Sequence, residues 1–246
     1  MKILLDTAND KIIEEYIKSY PIMGVTTNPT ILANDCKESG ENPVQRLRRI
    51  KYMLGKERQL HVQLTENTYE KMVEEAYSIV RVIGEDTFVK VPVSEVGLKV
   101  IKKLSGDGIN VTATAILTAT QALLAAEAGA KYVAPYVSRL ENVMANGIET
   151  IADIAQVFAS GGYSTQILAA SFKTGKEVLD TALAGAELAT VSPEVLKMLV
   201  SHPVTNSSIE KFGNDWNETF GKTLYELTKE FKSDTRPTIF FKDYVE

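Results

Sequence analysis

The sequence is poor in the residues that build metal centres and disulfide frameworks. Cys36 is its single cysteine, and His61 and His202 are its two histidines. One thiol closes no disulfide within the chain, which favours a reducing compartment. Two imidazoles and one thiol argue against a zinc cluster. Long apolar runs are missing as well. No stretch approaches the roughly 18 apolar residues of a membrane span, and the first run, Ile3-Leu4-Leu5, is too short for a signal peptide. These absences lead to the expectation of a cytoplasmic protein without a membrane partner. Neither sign of charge dominates. With 27 Lys and Arg against 32 Asp and Glu, interspersed, the net charge is −5. No basic stripe marks a nucleic-acid face, and no acidic block marks a tail.

What is present is a buried-looking strand with a lysine in it. Thr87-Phe88-Val89-Lys90-Val91-Pro92-Val93 reads as a strand covered on both faces. Lysine is seldom fully buried unless something compensates it. A desolvated amine tends towards its neutral form, which is a nucleophile for carbonyl carbon. The bland alternative is a lysine at a strand end with its head in water.

The rest of the chain repeats one pattern. Short apolar strands are expected at Ile3–Leu5, Ile22–Thr26, Leu60–Leu64, around Lys90, and at Val111–Ile116, Tyr132–Val137, Gln166–Ala170 and Glu187–Val191. Amphipathic helices separate them: from about Asn9, from Pro43, over Tyr69–Ile83, after Ser94, and over Thr118–Ala128, Ile148–Ala159 and Thr174–Ala184. Another starts at Ser192-Pro193, and Asn34–Glu41 reads as a loop. Eight strands alternating with helices, with no break in composition, argue one α/β domain. Right-handed crossovers close it most simply as a (β/α)8 TIM barrel, a fold of about 250 residues, and this chain has 246. The barrel is expected over residues 1–206. Residues 207–246 are expected to add a C-terminal helix and tail to the same domain. There Ile209, Phe212, Trp216, Phe220, Leu224, Leu227 and Phe231 make one stripe, which wants a surface to cover: the barrel's own end or a neighbouring subunit.

In such a barrel the site lies at the C-terminal ends of the strands. Polar residues late in a strand, or just after one, are therefore the candidates. Asp6, Thr26, Thr27, Asn28 and Gln63 come from the first three strands. Lys90, Asn110, Thr112, Thr114, Tyr136, Arg139, Ser171 and Lys173 come from the next four. Each has a structural alternative: a cap for Asp6, a turn for Asn28, strand propensity for the threonines, a surface ion pair for Arg139. Together they fit one chemistry. A lysine amine adds to a ketone and loses water. The resulting iminium is an electron sink that lets the neighbouring C–C bond break, given a base for the hydroxyl two carbons away. Asp6 fits the base. Gln63, Thr114 and Tyr136 fit a proton-shuttling water, and Asn28 fits substrate hydroxyls. Arg139 and Ser171 fit a phosphate near the last exit loops.

The residues also resemble a known family. Leu5-Asp6-Thr7, Gly24-Val25-Thr26-Thr27-Asn28-Pro29-Thr30, Val89-Lys90-Val91-Pro92-Val93, Ala134-Pro135-Tyr136-Val137 and Ala169-Ala170-Ser171-Phe172-Lys173 are similar, in order, to segments of the transaldolase family. The likeness is to its small-subunit branch of fructose-6-phosphate aldolases and short transaldolases, and runs from residue 1 to about 221. It implies a metal-free, cofactor-free class I mechanism with Lys90 as the imine-forming residue and Asp6 as acid/base. It implies Asn28 as a substrate ligand and Arg139 with Ser171 at the phosphate; Thr26 and Lys173, from the strand-end set, are expected to bind substrate beside them. It also implies a homo-oligomer, commonly a decamer in this branch, with the C-terminal helix packed on a neighbour. Residues 222–246 run beyond the family's usual end.

Within that branch, the aldolases look to carry Gln and Tyr where transaldolases carry Glu and Phe. This chain has Gln63 and Tyr136. A phenol protonates an enamine or holds water where a phenyl ring does neither. The favoured expectation is cleavage of fructose 6-phosphate to dihydroxyacetone and glyceraldehyde 3-phosphate. The alternative is a transaldolase of the pentose phosphate pathway, moving a dihydroxyacetone unit from fructose or sedoheptulose phosphate to an aldose phosphate. A non-catalytic sugar-phosphate-binding barrel is a third reading, since fold alone does not establish function. A pyridoxal-phosphate enzyme would also use a lysine imine, but no signature for that cofactor is present.

Overall fold

The computed structural model describes residues 1–141 and 146–231. The end of the expected C-terminal tail, residues 232–246, lies outside the described residues. Eight strands close into one parallel barrel in chain order. They are β1 (Lys2–Asp6), β2 (Ile22–Thr26), β3 (Gln59–Gln63), β4 (Phe88–Pro92), β5 (Val111–Ile116), β6 (Tyr132–Pro135), β7 (Gln166–Ala169) and β8 (Leu188–Val191). The last pairs with the first, from Lys2 opposite Leu188 to Leu5 opposite Val191. The helices are α1 (Asp10–Ser19), α2 (Pro29–Ser39), α3 (Pro43–Leu54), α4 (Tyr69–Ile83), α5 (Glu95–Gly106), α6 (Ala119–Glu127), α7 (Val137–Glu141), α8 (Gly147–Gly161), α9 (Gly175–Leu183), α10 (Pro193–Val200), α11 (Pro203–Phe220) and α12 (Leu224–Glu230).

Local chemistry explains why strands hand over to helices so quickly. Asn28, Ser94, Thr118 and Thr174 each follow a strand exit and accept a backbone N–H of the first helical turn. Such caps satisfy donors that have no intrahelical partner. They also fix the direction of the exit loops, where the candidate residues sit. Close packing fixes the rest. A Cβ at Gly24 would stand 2.3 Å from the Gln59 carbonyl oxygen, so β2 and β3 approach as only glycine permits.

The apolar core lies mainly between strands and helices. One cluster joins Val89, Val91, Val111, Ala113, Val133 and Ile167 to the faces of α4–α8. A second joins Leu5, Val25, Leu60 and Val191 to α1, α3 and α10. Inside the barrel a smaller group, Leu4, Phe88, Tyr132, Leu168 and Leu188, makes a floor.

Three expectations need correction. Asn34–Glu41 is not a loop throughout: α2 runs from Pro29 to Ser39. The Asn28 cap and Pro29 start it, Ile31 and Leu32 pack on the core, and left-handed Gly40 (φ 64°) stops it. The sixth strand ends at Pro135, and Val137 is helical. The C-terminal stripe is split between two helices. Gly221, left-handed at φ 64°, ends α11, and a Thr223–Glu226 capping box opens α12.

Residues Met1–Leu199 form one compact unit, and a second begins at Val200. Within the second, Trp216 packs on Phe220 with ring centroids 4.5 Å apart, and its Nε1 donates to the Lys222 carbonyl at 2.8 Å. No helix of the described residues is long and apolar enough to cross a membrane.

Candidate active site

Lys90 is 5% exposed, in the middle of β4 between Val89 and Val91, both fully buried. Its Nζ donates to the Thr27 carbonyl oxygen at 2.8 Å, in the loop that leaves β2. That is one acceptor for a group with three protons. Burial pushes its pKa below the usual lysine value, opposed by the negative charge of Asp6. The amine therefore gives up a proton more easily than a surface lysine.

Asp6 ends β1. Its Oδ1 accepts from the Thr26 hydroxyl at 2.6 Å, and the Thr26 Oγ1 in turn lies 2.6 Å from the Thr190 hydroxyl. The register sets Asp6 opposite Thr26. A carboxylate bonded to one hydroxyl, which is itself fixed by a second, keeps one orientation. A cavity of about 320 Å³ opens beside it, lined by Asp6, Thr7, Asn34, Asp35 and Ser192 among others. Asn28 uses its side-chain oxygen to cap α2, accepting from Ile31 N at 3.0 Å. The turn role and a ligand role are compatible, because the amide NH2 projects from the same fixed group.

Gln63 stands opposite Lys90 in the register of β3 and β4. Its Oε1 is buried without a protein hydrogen-bond partner. Such an atom is unfavourable unless water or a ligand completes it. The Thr114 Oγ1 and Tyr136 Oη lie 3.4 Å apart. The Arg139 guanidinium sits over the Tyr136 ring, 4.5 Å from its centroid, which ties the two side chains after β6 together. Ser171 follows β7 in a left-handed conformation, φ 66°. Exposed Lys173 precedes α9, and its N–H donates to Glu177 at 2.6 Å.

Not every candidate converges. Asn110 precedes β5, and its side chain accepts from Lys131 at 3.4 Å, at the opposite end of the barrel. That end has a cavity of about 460 Å³, larger than the one beside Asp6. Position in the fold and chemistry, not volume, mark the mouth with Lys90 as the candidate site. Thr112 lies deeper than the mouth and faces His61, with its Oγ1 2.9 Å from Nδ1.

His61 is the residue that sequence reasoning missed. It is fully buried inside the barrel, stacked on Phe88 at 4.5 Å, with Nε2 3.0 Å from Gln59 Oε1. Burial, and then the charge of Lys90, hold its pKa well below the usual histidine value. Gln59 donates in turn to the Tyr132 hydroxyl at 3.0 Å. With that amide orientation, Nε2 carries the imidazole proton and Nδ1 accepts from Thr112. The signal was available: Gln59, His61 and Gln63 alternate with Leu60 and Val62, so all three share the inner face. Among the described residues, no group of three His, Cys, Asp or Glu side chains is placed to hold a metal ion.

Comparisons with known proteins span most of the chain. The family model described as Transaldolase/Fructose-6-phosphate aldolase matches residues 3–239, which corrects the expectation that the likeness ends near 221 and that residues 222–239 lie beyond it. A probable transaldolase of Thermodesulfovibrio yellowstonii is 38% identical over 218 residues, covering 89% of this chain and 99% of that protein. Probable transaldolase 1 of Bacillus cereus is 39% identical over 219 residues, with the same coverage. A probable transaldolase of Clostridium acetobutylicum is 39% identical over 222 residues, covering 90% of this chain and all of that one. Among solved structures, one described as native KDPGal superposes with a TM-score of 0.53 at 17% identity, over 77% of this chain and 80% of the other. At that identity the likeness concerns the fold alone.

Proposed function

The chain belongs to the transaldolase/fructose-6-phosphate aldolase family, and from that premise we propose that it is a class I aldolase cleaving fructose 6-phosphate through an imine on Lys90. The observation that carries the reading is the pairing of a buried amine of lowered pKa with an unpartnered amide oxygen directly opposite it, Gln63 Oε1.

The neutral Lys90 amine adds to the C2 ketone, and the carbinolamine loses water to give the iminium. Asp6 takes the proton of the C4 hydroxyl. The C3–C4 bond breaks, its electrons pass to the iminium nitrogen, and glyceraldehyde 3-phosphate leaves. The enamine is protonated at C3, water hydrolyses the imine, and dihydroxyacetone is released. A water held by Gln63, Thr114 and Tyr136 carries protons in the dehydration and in the final protonation. Asn28 binds substrate hydroxyls, as does Thr26, which also orients Asp6. Arg139, Ser171 and Lys173 receive the phosphate. No cofactor takes part in this scheme.

Transaldolase chemistry differs only in the fate of the enamine, which an aldose phosphate captures instead of a proton. The names of the relatives favour that second reading. Gln63 and Tyr136 favour the first, because both match the aldolase-type residues, and the Tyr136 phenol holds water or gives a proton where a phenyl ring does neither. The assembly belongs to the same proposal: a homo-oligomer, with a decamer as the expected form, in which α11 covers a neighbouring copy. In support, α11 has no buried residue and exposes Ile209, Phe212 and Phe220. A cytoplasmic location and a place in sugar-phosphate metabolism complete it.

The test is a borohydride trap. The protein is incubated with fructose 6-phosphate alone, reduced, digested and mapped by mass spectrometry, while triose phosphate release is followed in parallel. A reduced three-carbon adduct on Lys90 with continuous release supports the aldolase. The same adduct with a single burst, and turnover only after erythrose 4-phosphate is added, makes it a transaldolase. No adduct on Lys90 leaves a sugar-phosphate-binding barrel.

A further inference from the structure

Among the described residues, two that are not glycine have left-handed backbone: Ala115 at φ 59° and Ser171 at φ 66°. Both stand at the mouth of the barrel. They follow or end the two strands that flank β6, so they lie on either side of the exit that carries Tyr136 and Arg139. Ser171 already has a role at the phosphate in the proposal above. Ala115 has none, and a Cβ disfavours the conformation it holds.

The strand around Ala115 changes phase. Thr112 and Thr114 face the barrel interior, and regular alternation would send Ile116 inward as well. Instead Ile116 is fully buried in the core between strands and helices, with Val111 and Ala113. Ala115 is the inserted residue. Thr114 pairs with Ala134 and Ile116 with Pro135, so β5 advances two residues while β6 advances one. That is a β-bulge, a device that re-aims side chains at barrel rims.

Two consequences bear on the site. The branched side chain of Ile116 is kept out of the mouth above Lys90. The Ile116 carbonyl is delivered to the N–H of Tyr136 at 3.1 Å, while the Tyr136 hydroxyl reaches Thr114, the residue before the bulge, at 3.4 Å. Tyr136 is thus held by its main chain on one side of Ala115 and by its hydroxyl on the other. Just past β7, Ala170 forms an isolated bridge with Tyr136, and its N–H donates to the Pro135 carbonyl at 2.9 Å.

We infer that Ala115 is a positioning residue: its left-handed bulge sets the Tyr136 hydroxyl against Thr114 and keeps the space over Lys90 open, and so governs whether the enamine is protonated or captured. This rests on the aldolase reading of the same site. Borohydride trapping on Lys90 in the unsubstituted protein tests that reading separately, so the two can fail independently.

The experiment compares Ala115→Gly, Ala115→Asn and Ala115→Val. Glycine and asparagine accept the left-handed region, whereas β-branched valine, close to asparagine in size, does not. Gly and Asn variants are expected to keep kcat and the cleavage-to-transfer ratio within about twofold, and Val to lower kcat for cleavage roughly tenfold or more, the scale of a misplaced reacting group. KM changes less than kcat in the Val variant, its ratio moves towards transfer, and Lys90 still forms the reduced adduct. The Gly variant melts at a higher temperature than the parent. If Val and Asn behave alike, or the Gly variant melts lower, the role of Ala115 is overturned. Should the Val variant not fold, a folded Asn variant with a shifted ratio overturns it equally.

Discussion

Lys90 and Gln63 face each other across β4 and β3, so an amine with one acceptor and an amide oxygen with no protein partner share one level of the barrel. Neither arrangement favours folding. Burial disfavours the charged amine, and an unsatisfied buried oxygen loses a hydrogen bond it had in water. Sites that carry such unfavourable features generally gain stability when the feature is removed, at the expense of activity.

Lys90→Met should therefore fold, lose cleavage entirely and melt at a higher temperature near neutral pH. The sign follows from the lowered pKa of Lys90. Between that folded value and about 10.4, the unfolded chain binds more protons. Stability rises with pH through that window, and the lysine is a net disadvantage below it. The gain in Tm on substitution should be largest at neutral pH and shrink as pH approaches 10. Turnover near the parent level would remove the imine assignment. A lower Tm at both pH values would mean that the bond to Thr27 outweighs desolvation.

Tyr136→Phe should shift the balance from cleavage towards transfer. The substitution keeps the ring under Arg139 and removes the hydroxyl beside Thr114. Loss of a general acid typically costs about 100-fold or more, and capture by an aldose does not need that proton donor to the same degree. Parallel assays with and without erythrose 4-phosphate measure the ratio. An unchanged ratio shows that another group selects the fate of the enamine.

His61 should make the protein sensitive to mild acid. Its folded pKa lies well below the usual value, while in the unfolded chain it is about 6.5. As pH falls below that, the unfolded state takes a proton that the native state refuses. Stability then drops by up to about 1.4 kcal/mol per pH unit. His61→Gln, which cannot titrate, should show a flatter decline between pH 6.5 and 4.5 in denaturant melts. Parallel curves for the two proteins would mean that the buried imidazole takes up a proton without opening the barrel.

The period-two strands and their helices were legible because each element is short, apolar and punctuated by a cap or a glycine. Lys90 was legible because a charge among valines conflicts with its surroundings. Two features were not, and a third was legible but misplaced. Asn110 precedes Val111 in the expected fifth strand as in the observed one, so the strand's direction already puts it at the end of the barrel away from the mouth. Ile116 breaks the alternation of its strand through a bulge at Ala115, an alanine that gives no local cue for left-handed backbone. The helical stripe from Ile209 to Phe231 continues in phase past Gly221, so periodicity hid a break that the glycine's positive φ creates.

Truncation after Val200 removes α11 and α12 and should dissolve the homo-oligomer proposed above. The exposed Ile209, Phe212, Phe220, Leu224 and Phe231 are more apolar surface than a two-helix unit commonly presents to water. Sedimentation velocity of the truncated and full chains should give a smaller particle for the first. Equal subunit numbers would mean that another surface holds the copies together.

One substitution at two places in α5 should have opposite signs. Gly97 lies in its first turn, where a Cβ would stand 2.1 Å from the Pro92 carbonyl oxygen and 3.1 Å from the Ser94 hydroxyl. The first of these is backbone and cannot swing aside, so Gly97→Ala must push α5 away from the end of β4. Overpacking of this kind costs about 1–3 kcal/mol, and each kcal/mol lowers Tm by roughly 2–4 °C at this chain size. Because Pro92 is two residues from Lys90, kcat should fall along with stability. Gly106, at the other end of the same helix, has nothing within 4 Å of its Cβ position. There alanine removes only the conformational freedom of the unfolded glycine, a gain of up to about 0.5–1 kcal/mol, and leaves kcat unchanged. Thermal melts and initial rates of both variants decide it. A Gly97→Ala protein as stable and active as the parent would show that α5 can slide along the barrel without disturbing the strand that carries the amine.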